Sequence, residues 1–459
     1  MSAASAVAAS ASEPTAPLPE RGGRFQPPSP PAPIGRLAAV QEMARWLRLL
    51  FETEREFVRT ATTLIYRVGE PELKYLLCQH VWEAANHARF LRERGRELSG
   101  FGTTDEVRPA LRQLFNEAVM PADATVALAG FYRVIKPALH DAYRRYLTAT
   151  HHLADWPSRK LVEEFLADEA RHATEIAPYL PVAASASEWS AHLTTLLASH
   201  GGPLSPSPPL HLSPSSAPPL LSATRGYTHP PTPNRGRFPT CSSVFSHDPA
   251  ETPIVRTWLI DPTTDARVIR IMVYVWLMME LDAVDYLATV FYDTPHAPFD
   301  LHHDLARHLW DESRHSQFGY RQLPRLGVDL LTLEHSLDLY TILVQMTPPE
   351  RYAMMTMEFE ANSFPTKAHV MDRVRELNDF EADTLLAFDR NDEQNHVRSG
   401  HRWLPVMMAL FGETRSPEEF VTATRVRFAE LAKTYGGITP HSLPPSQRLT
   451  GEKILRLIK

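Results

Sequence analysis

The sequence predicts an all-α protein made of two four-helix bundles joined by a proline-rich linker, and three observations carry that expectation. Apolar residues recur at helical spacing through two long blocks, while strand-like alternation is scarce. Gly and Pro fall at the joints between the helical stretches. Long and short elements follow the same order in both blocks, so each reads as one copy of a duplicated unit of four long helices and a short connector.

With 459 residues the chain is long enough for two domains, and two separate cores are the default expectation. Composition is that of a globular protein, 43% hydrophobic and 22% charged, but the 40 prolines exceed ordinary usage and are expected outside helices, marking the linkers. Residues 1–34, rich in Ala, Ser and Pro, read as a disordered leader. The first block spans 35–182, with long helices expected at 36–68, 72–99, 122–153 and 157–180 and a shorter one at 104–118. Residues 183–254 read as a Pro/Ser-rich linker in which frequent prolines forbid any long helix. The second block spans 255–436, with helices expected at 262–292, 299–325, 349–376 and 378–410 and a shorter one at 330–345, followed by a tail at 437–459.

Two cysteines, Cys78 and Cys241, support neither a disulfide framework nor a thiolate metal site and fit a reducing, cytoplasmic setting. A formal net charge of -7 with no dense Lys/Arg run argues against a nucleic-acid surface. No segment approaches the roughly 20 uninterrupted apolar residues of a membrane span. The N-terminus lacks the basic and apolar regions of a secretory signal. Small-molecule chemistry is therefore expected, with no nucleic acid and no membrane.

Three segments share the pattern Asp-Glu-x-x-His: Asp168-Glu169 to His172, Asp311-Glu312 to His315, and Asp392-Glu393 to His396. Roughly one or two Glu-x-x-His pairs are expected by chance, so a single match would mean little. Three, each preceded by Asp, mean more. Residues i and i+3 share a helix face about 5–6 Å apart, which lets a carboxylate and an imidazole grip one cation together. Bundle-type di-metal sites add one lone Glu from each of the other two helices. The candidates are Glu280, 32 residues before Glu312, and Glu360, 33 before Glu393. Their apolar surroundings make an ionised carboxylate unfavourable without a counter-charge, which two cations would supply. The expected metal ligands are thus Glu280, Glu312, His315, Glu360, Glu393 and His396. Oxygen-rich ligands with two imidazoles suit two Fe ions, with Mn open.

The first block reads as a diverged copy. Pairing Glu169 and His172 with Glu393 and His396 puts Lys136 where Glu360 stands. Pairing Trp82 with Trp310 and His87 with His315 puts Ala84 opposite Glu312, with Glu83 at i−4 from His87, and Glu56 matches Glu280. The favoured reading is a buried polar network without metal, in which the Lys136 ammonium holds the remaining carboxylates.

Other residues are read more plainly. Glu358 competes with Glu360 but points to a different face. Asp168, Asp311 and Asp392 are either acceptors for ligand imidazoles or solvent-facing. His302, His303 and His308 are expected at the surface. Met354, Met355 and Met357 are expected to fill core.

The stretch from Glu280-Leu-Asp through Asp311-Glu312-Ser-Arg-His315 and Glu360-Ala-Asn-Ser-Phe-Pro365 to Asp392-Glu393-Gln-Asn-His396-Val-Arg-Ser-Gly400-His-Arg-Trp403 resembles the ferritin-like family called domain of unknown function four hundred and fifty-five, itself related to the di-iron tRNA hydroxylase. The resemblance covers about 255–411 and is most specific from Asp379 to Trp403. It implies a ferritin-like fold and metal ligands at the same six positions. This chain departs from the family where Glu360-Ala-Asn-Ser-Phe-Pro365 replaces the usual Glu-Ala-Arg-Gly-Leu-Asp, a change expected to bear on the substrate side.

Together these observations lead to an expected oxidoreductase that activates dioxygen or peroxide at two metal ions to oxidise a small organic substrate. The alternatives are an iron-sequestering ferroxidase and a metal-free helical scaffold.

Overall fold

The computed structural model describes residues 38–98, 105–204, 219–241, 259 and 261–437. The expected leader and all but the first residue of the expected tail lie outside them. The protein is all-α; among the described residues the strands are two short segments, β1 (Thr240–Cys241) and β2 (His335–Ser336), paired in parallel.

In the N-terminal half, α1 (Val40–Ile65) packs on α2 (Pro71–Glu97), with α3 (Pro109–Ala118) against α1. The third long element runs from α4 (Ala124–Gly130) through a π-helical turn (Phe131–Ile135) into α5 (Lys136–Ala149), which packs on both α1 and α6 (Trp156–Ile176). Helix α6 returns to α2. A further helix, α7 (Ala184–Ser199), covers α3 and α4. It corrects the expectation that residues 183–254 hold no long helix: no proline occurs between Pro181 and Pro203, leaving room for four turns. The rest of the expected linker includes a single turn, α8 (Leu221–Thr224), and an ordered strap from Tyr227 to β1.

The C-terminal half repeats the order. Its first helix is broken at Glu280 into α9 (Ala266–Met279) and α10 (Leu281–Tyr292), both packed on α11 (Phe299–Arg325). The expected connector helix at 330–345 is a 3-10 turn, β2 and the short α12 (Asp338–Leu343). The third element is also discontinuous: α13 (Pro348–Ala353), opened by a Thr347–Glu350 capping box, runs into a π-helical turn (Met354–Phe359). A non-helical turn at 360–363 then precedes α14 (Phe364–Glu376). Pro365 accounts for that break, since it has no N–H to bond the carbonyl four residues back and fits only in the first turn of a new helix. Helix α15 (Phe380–Leu410) starts at Asp379, whose carboxylate accepts from the Ala382 amide, and packs on α11, α13 and α14. Helix α16 (Pro417–Tyr435), with a Ser416–Glu419 capping box, lies over α12. Pro324 and Pro405 lie inside helices, contrary to expectation; each sits within the last two turns, where few downstream bonds are disturbed.

The halves are not separate cores. One apolar cluster runs from Phe57, Leu64 and Val81 in the first to Val284, Leu287 and Leu309 in the second. Helices α1 and α2 pack on α10 and α11. Buried charges pin this seam. The Lys74 ammonium donates to both Asp285 oxygens at 2.7 and 2.9 Å, and Arg235 of the strap reaches Asp285 and Asp282. The strap thus works as a clamp across the two halves rather than as a spacer. Within the C-terminal half Gly319 lets α11 approach α9: a Cβ there would meet the Tyr274 carbonyl at 2.0 Å.

Candidate metal centre

Helix α11 presents His308, Glu312 and His315 at i, i+4 and i+7, along one face turned into the C-terminal half. Glu360 follows the π-helical turn of the third element, and Glu393 and His396 stand on α15. The side chains of His308, Glu312, Glu360 and His396 are buried, and each offers one ligand atom within 4.8 Å of the other three. The imidazole of His308 lies 2.7 Å from Glu360 through Nε2 and 3.6 Å from Glu312. His396 Nδ1 lies 3.3 Å from Glu312 and 3.2 Å from Glu360. The two rings stack with centroids 3.6 Å apart.

A second group lies alongside. His315 Nδ1 is 3.1 Å from Glu280 and 3.8 Å from Glu312, so Glu312 belongs to both groups. Glu280 also converges with Asp389 and Glu393. Into this second group projects Lys367 of α14, with Nζ 2.6 Å from Asp389, 2.5 Å from Glu393 and 3.6 Å from Glu280. Ser363, in the turn that interrupts the third element, donates to Glu393 at 2.6 Å.

The outer nitrogens of the two motif histidines cross over. His315 Nε2 faces Asp392 at 3.3 Å and His396 Nε2 faces Asp311 at 3.4 Å, so the Asp of each motif supports the His of the other. Arg314 bridges the two aspartates. This arrangement fixes ring orientation and turns each Nδ1 inward, as partners behind ligand imidazoles do. Asp311 and Asp392 are therefore buried supports; their third counterpart, Asp168, is partly exposed but takes the same role toward His87 at 3.1 Å.

Charge in the two groups is balanced differently. Burial would raise Glu312 and Glu360, yet His308 and His396 hold both carboxyls below the ordinary range. Burial does prevail at Glu393, pushed up to about 7, and at Asp389, pushed up to about 6. Burial opposes protonation of His315 and His396, but Asp389 beside the first and Glu360 beside the second hold both well above the usual imidazole range. A divalent cation bound among these groups displaces such protons. Glu360 Oε2 is buried with no partner, and Glu312 Oε1 and Glu280 Oε2 are buried facing histidines without accepting a well-formed hydrogen bond; oxygens in this state fit a cation. The first group, two imidazoles and two carboxylates with no Lys or Arg paired to them among the described residues, fits one whole ion. The second supplies ligands but already contains an ammonium.

All six sequence-predicted ligands, Glu280, Glu312, His315, Glu360, Glu393 and His396, are brought together. Glu358 is not among them; it pairs with Arg425 at the rim. Three residues went unrecognised in the sequence: His308, Lys367 and Asp389. The expected surface placement of His302, His303 and His308 is corrected: His302 and His308 are buried, the first bonded to Thr294, and His303 lies against Trp82 at the seam. Met354 and Met355 are buried in the core, with Met357 packed beside it.

The first half carries a matching arrangement of different composition. Glu54, His87 and Glu169 converge, with His87 Nδ1 3.1 Å from Glu54. Lys136 lies 2.5 Å from Glu169 and 3.9 Å from Glu54. Tyr143 donates to Glu54 at 2.7 Å. Glu56, the expected counterpart of Glu280, instead turns to Arg59 at 2.6 Å, because two residues along a helix change its face. Glu83 binds the outer nitrogen of His172, the place Asp311 takes toward His396, and is not in the inner cluster.

The model of a family described as a protein of unknown function (DUF455) matches residues 262–438, which takes in every residue of the C-terminal cluster. No curated protein and no solved structure matches the chain. Among the described residues no helix is long and apolar enough to cross a membrane.

Proposed function

We propose that the C-terminal half is the metal-binding, redox-active part of a ferritin-like oxidoreductase that uses iron, or manganese, with dioxygen or peroxide to oxidise a small organic substrate. The convergence of His308, Glu312, Glu360 and His396 with orphaned carboxylate oxygens between them carries this reading. These four side chains would hold an ion, and Glu280, His315 and Glu393 extend the set on the other side of Glu312. The bound metal would supply Lewis acidity and, for iron or manganese, electrons. The chain's own residues do the rest. Asp311 and Asp392 orient the histidines, and the burial of the whole cluster excludes water.

Protein purified aerobically from iron-supplemented cells is expected to contain metal by elemental analysis and to show a ligand-to-metal absorption band. Glu312→Ala and His396→Ala are expected to lose both while keeping helical circular dichroism. Retention of metal by both variants would move the site elsewhere.

A further inference from the structure

We propose that this centre holds one metal ion, in the His308–Glu312–Glu360–His396 group, and that the Lys367 ammonium permanently takes the place of a second. The inference rests on the metal-binding reading above and goes beyond it in fixing how many ions the site accepts and why.

The geometry separates the two positions. In the first, every ion pair made by Glu312 and Glu360 among the described residues is with a histidine, a group that can release its proton to a metal. In the second, Glu280, Asp389 and Glu393 offer ligand atoms within 4.8 Å of one another, and Lys367 Nζ is in contact with Asp389 and Glu393 and lies 3.6 Å from Glu280. An ammonium carries one fixed positive charge with three N–H donors. Here it donates to both Asp389 oxygens at 2.6 Å and pairs with Glu393 at 2.5 Å, so its charge sits against carboxylates a second ion would bind. The side chain has nowhere else to go: Lys367 is buried, and its ammonium also sits 5.4 Å from the Trp276 ring. The origin of the placement is local. The break at 360–363 starts a new helix in which Lys367 falls on the inward face one turn in, two turns after Glu360.

The first half shows the same substitution at a different residue. There Lys136, at the position of Glu360, donates to Glu169 and lies 3.9 Å from Glu54, while Tyr143, seven residues on as Lys367 is from Glu360, donates to Glu54. A lysine inside a carboxylate cluster is thus used twice in this chain, fully in one half and in part of the site in the other.

The experiment is anaerobic titration of the full-length, metal-free protein with Mn(II), read by equilibrium dialysis and electron paramagnetic resonance. Wild type is expected to bind about one ion with the six-line spectrum of an isolated Mn(II). Lys367→Met is expected to bind about two, with a broadened, exchange-coupled spectrum, because the freed carboxylates then need a cation. Lys367→Arg, which keeps the charge, should remain at one. Should Lys367→Met fold only with metal present, a larger thermal stabilisation by Mn(II) than in wild type reports the same second ion. Wild type binding two ions would overturn the proposal while leaving the metal reading intact. Lys367→Met staying at one with unchanged metal stabilisation would remove the lysine's role. Wild type binding none would sink the metal reading itself.

Discussion

The two halves of this protein answer one electrostatic problem in two ways. Each gathers acidic side chains from several helices into an apolar interior, which is unfavourable unless a cation is close by. In the N-terminal half the cation is built into the chain: Lys136 lies 2.5 Å from Glu169 and 3.9 Å from Glu54. In the C-terminal half one group is closed by Lys367 and the other retains two histidines and two carboxylates with orphaned oxygens. The comparison teaches that two buried carboxylate–histidine clusters can keep similar supporting bonds while differing in whether an ammonium of the chain itself balances them. His87 to Asp168 and His172 to Glu83 persist in the half whose own lysine has closed the centre.

The sharpest way to break this comparison is to remove the internal cation. Lys136→Met leaves Glu54 and Glu169 buried with no ammonium, and loss of one partner of a buried pair costs about 3–5 kcal/mol. Urea denaturation of the metal-free protein should show a loss of that size. If Lys136→Met were as stable as wild type, the lysine would not be what balances the first half.

A smaller effect sharpens the same contrast through pH. His87 is buried; burial opposes its proton, but Asp168 and Glu54 outweigh this and lift it to about 9. A histidine raised above its unfolded value contributes stability in full below about 6.5 and loses it as pH rises through about 9. The expected loss is on the order of 3 kcal/mol between those limits. Stability curves from pH 6 to 10 check it. His87→Gln should flatten the dependence, and an unchanged slope in that variant would assign it elsewhere.

Much of this was legible in the residue order, and the failures have physical causes. The three Asp-Glu-x-x-His segments needed only helical periodicity, and all six proposed ligands meet. Glu54 was displaced to Glu56 because α1 is buried at every position from Leu49 to Ile65. With no solvent-facing side there is no stripe to set the register. His308 was placed at the surface because a histidine on a polar helix usually belongs there. Yet a signal existed: His80 precedes His87, and His308 precedes His315, by seven residues, each also precedes a tryptophan by two, and each stacks on a histidine of a later helix, at 3.8 and 3.6 Å. Lys367 and Asp389 carried no such mark. Their meeting depends on the angle at which α14 leaves the turn after Glu360, and that is a property of packing. The clamp formed by Arg235 was hidden for the same reason, since a proline-rich segment reads as spacer until its one buried guanidinium finds Asp282 and Asp285.

The smallest expected effect tests the face assignment that the site depends on. Glu358 and Glu360 are two residues apart, and only the second points inward; Glu358 meets Arg425 in a pair whose arginine is more than half exposed. Such pairs are worth about 0–1 kcal/mol because solvent and salt screen them and both side chains lose freedom in forming them. Glu358→Ala should therefore shift the denaturation midpoint barely beyond error and leave Mn(II) affinity unchanged. Glu360→Ala, which removes a carboxylate lying 2.7 and 3.2 Å from two histidines, should abolish binding. Equal loss of metal in the two variants would mean that the π-helical turn at Met354–Phe359 does not set the register described for it, since that turn decides which of the two carboxylates enters the interior.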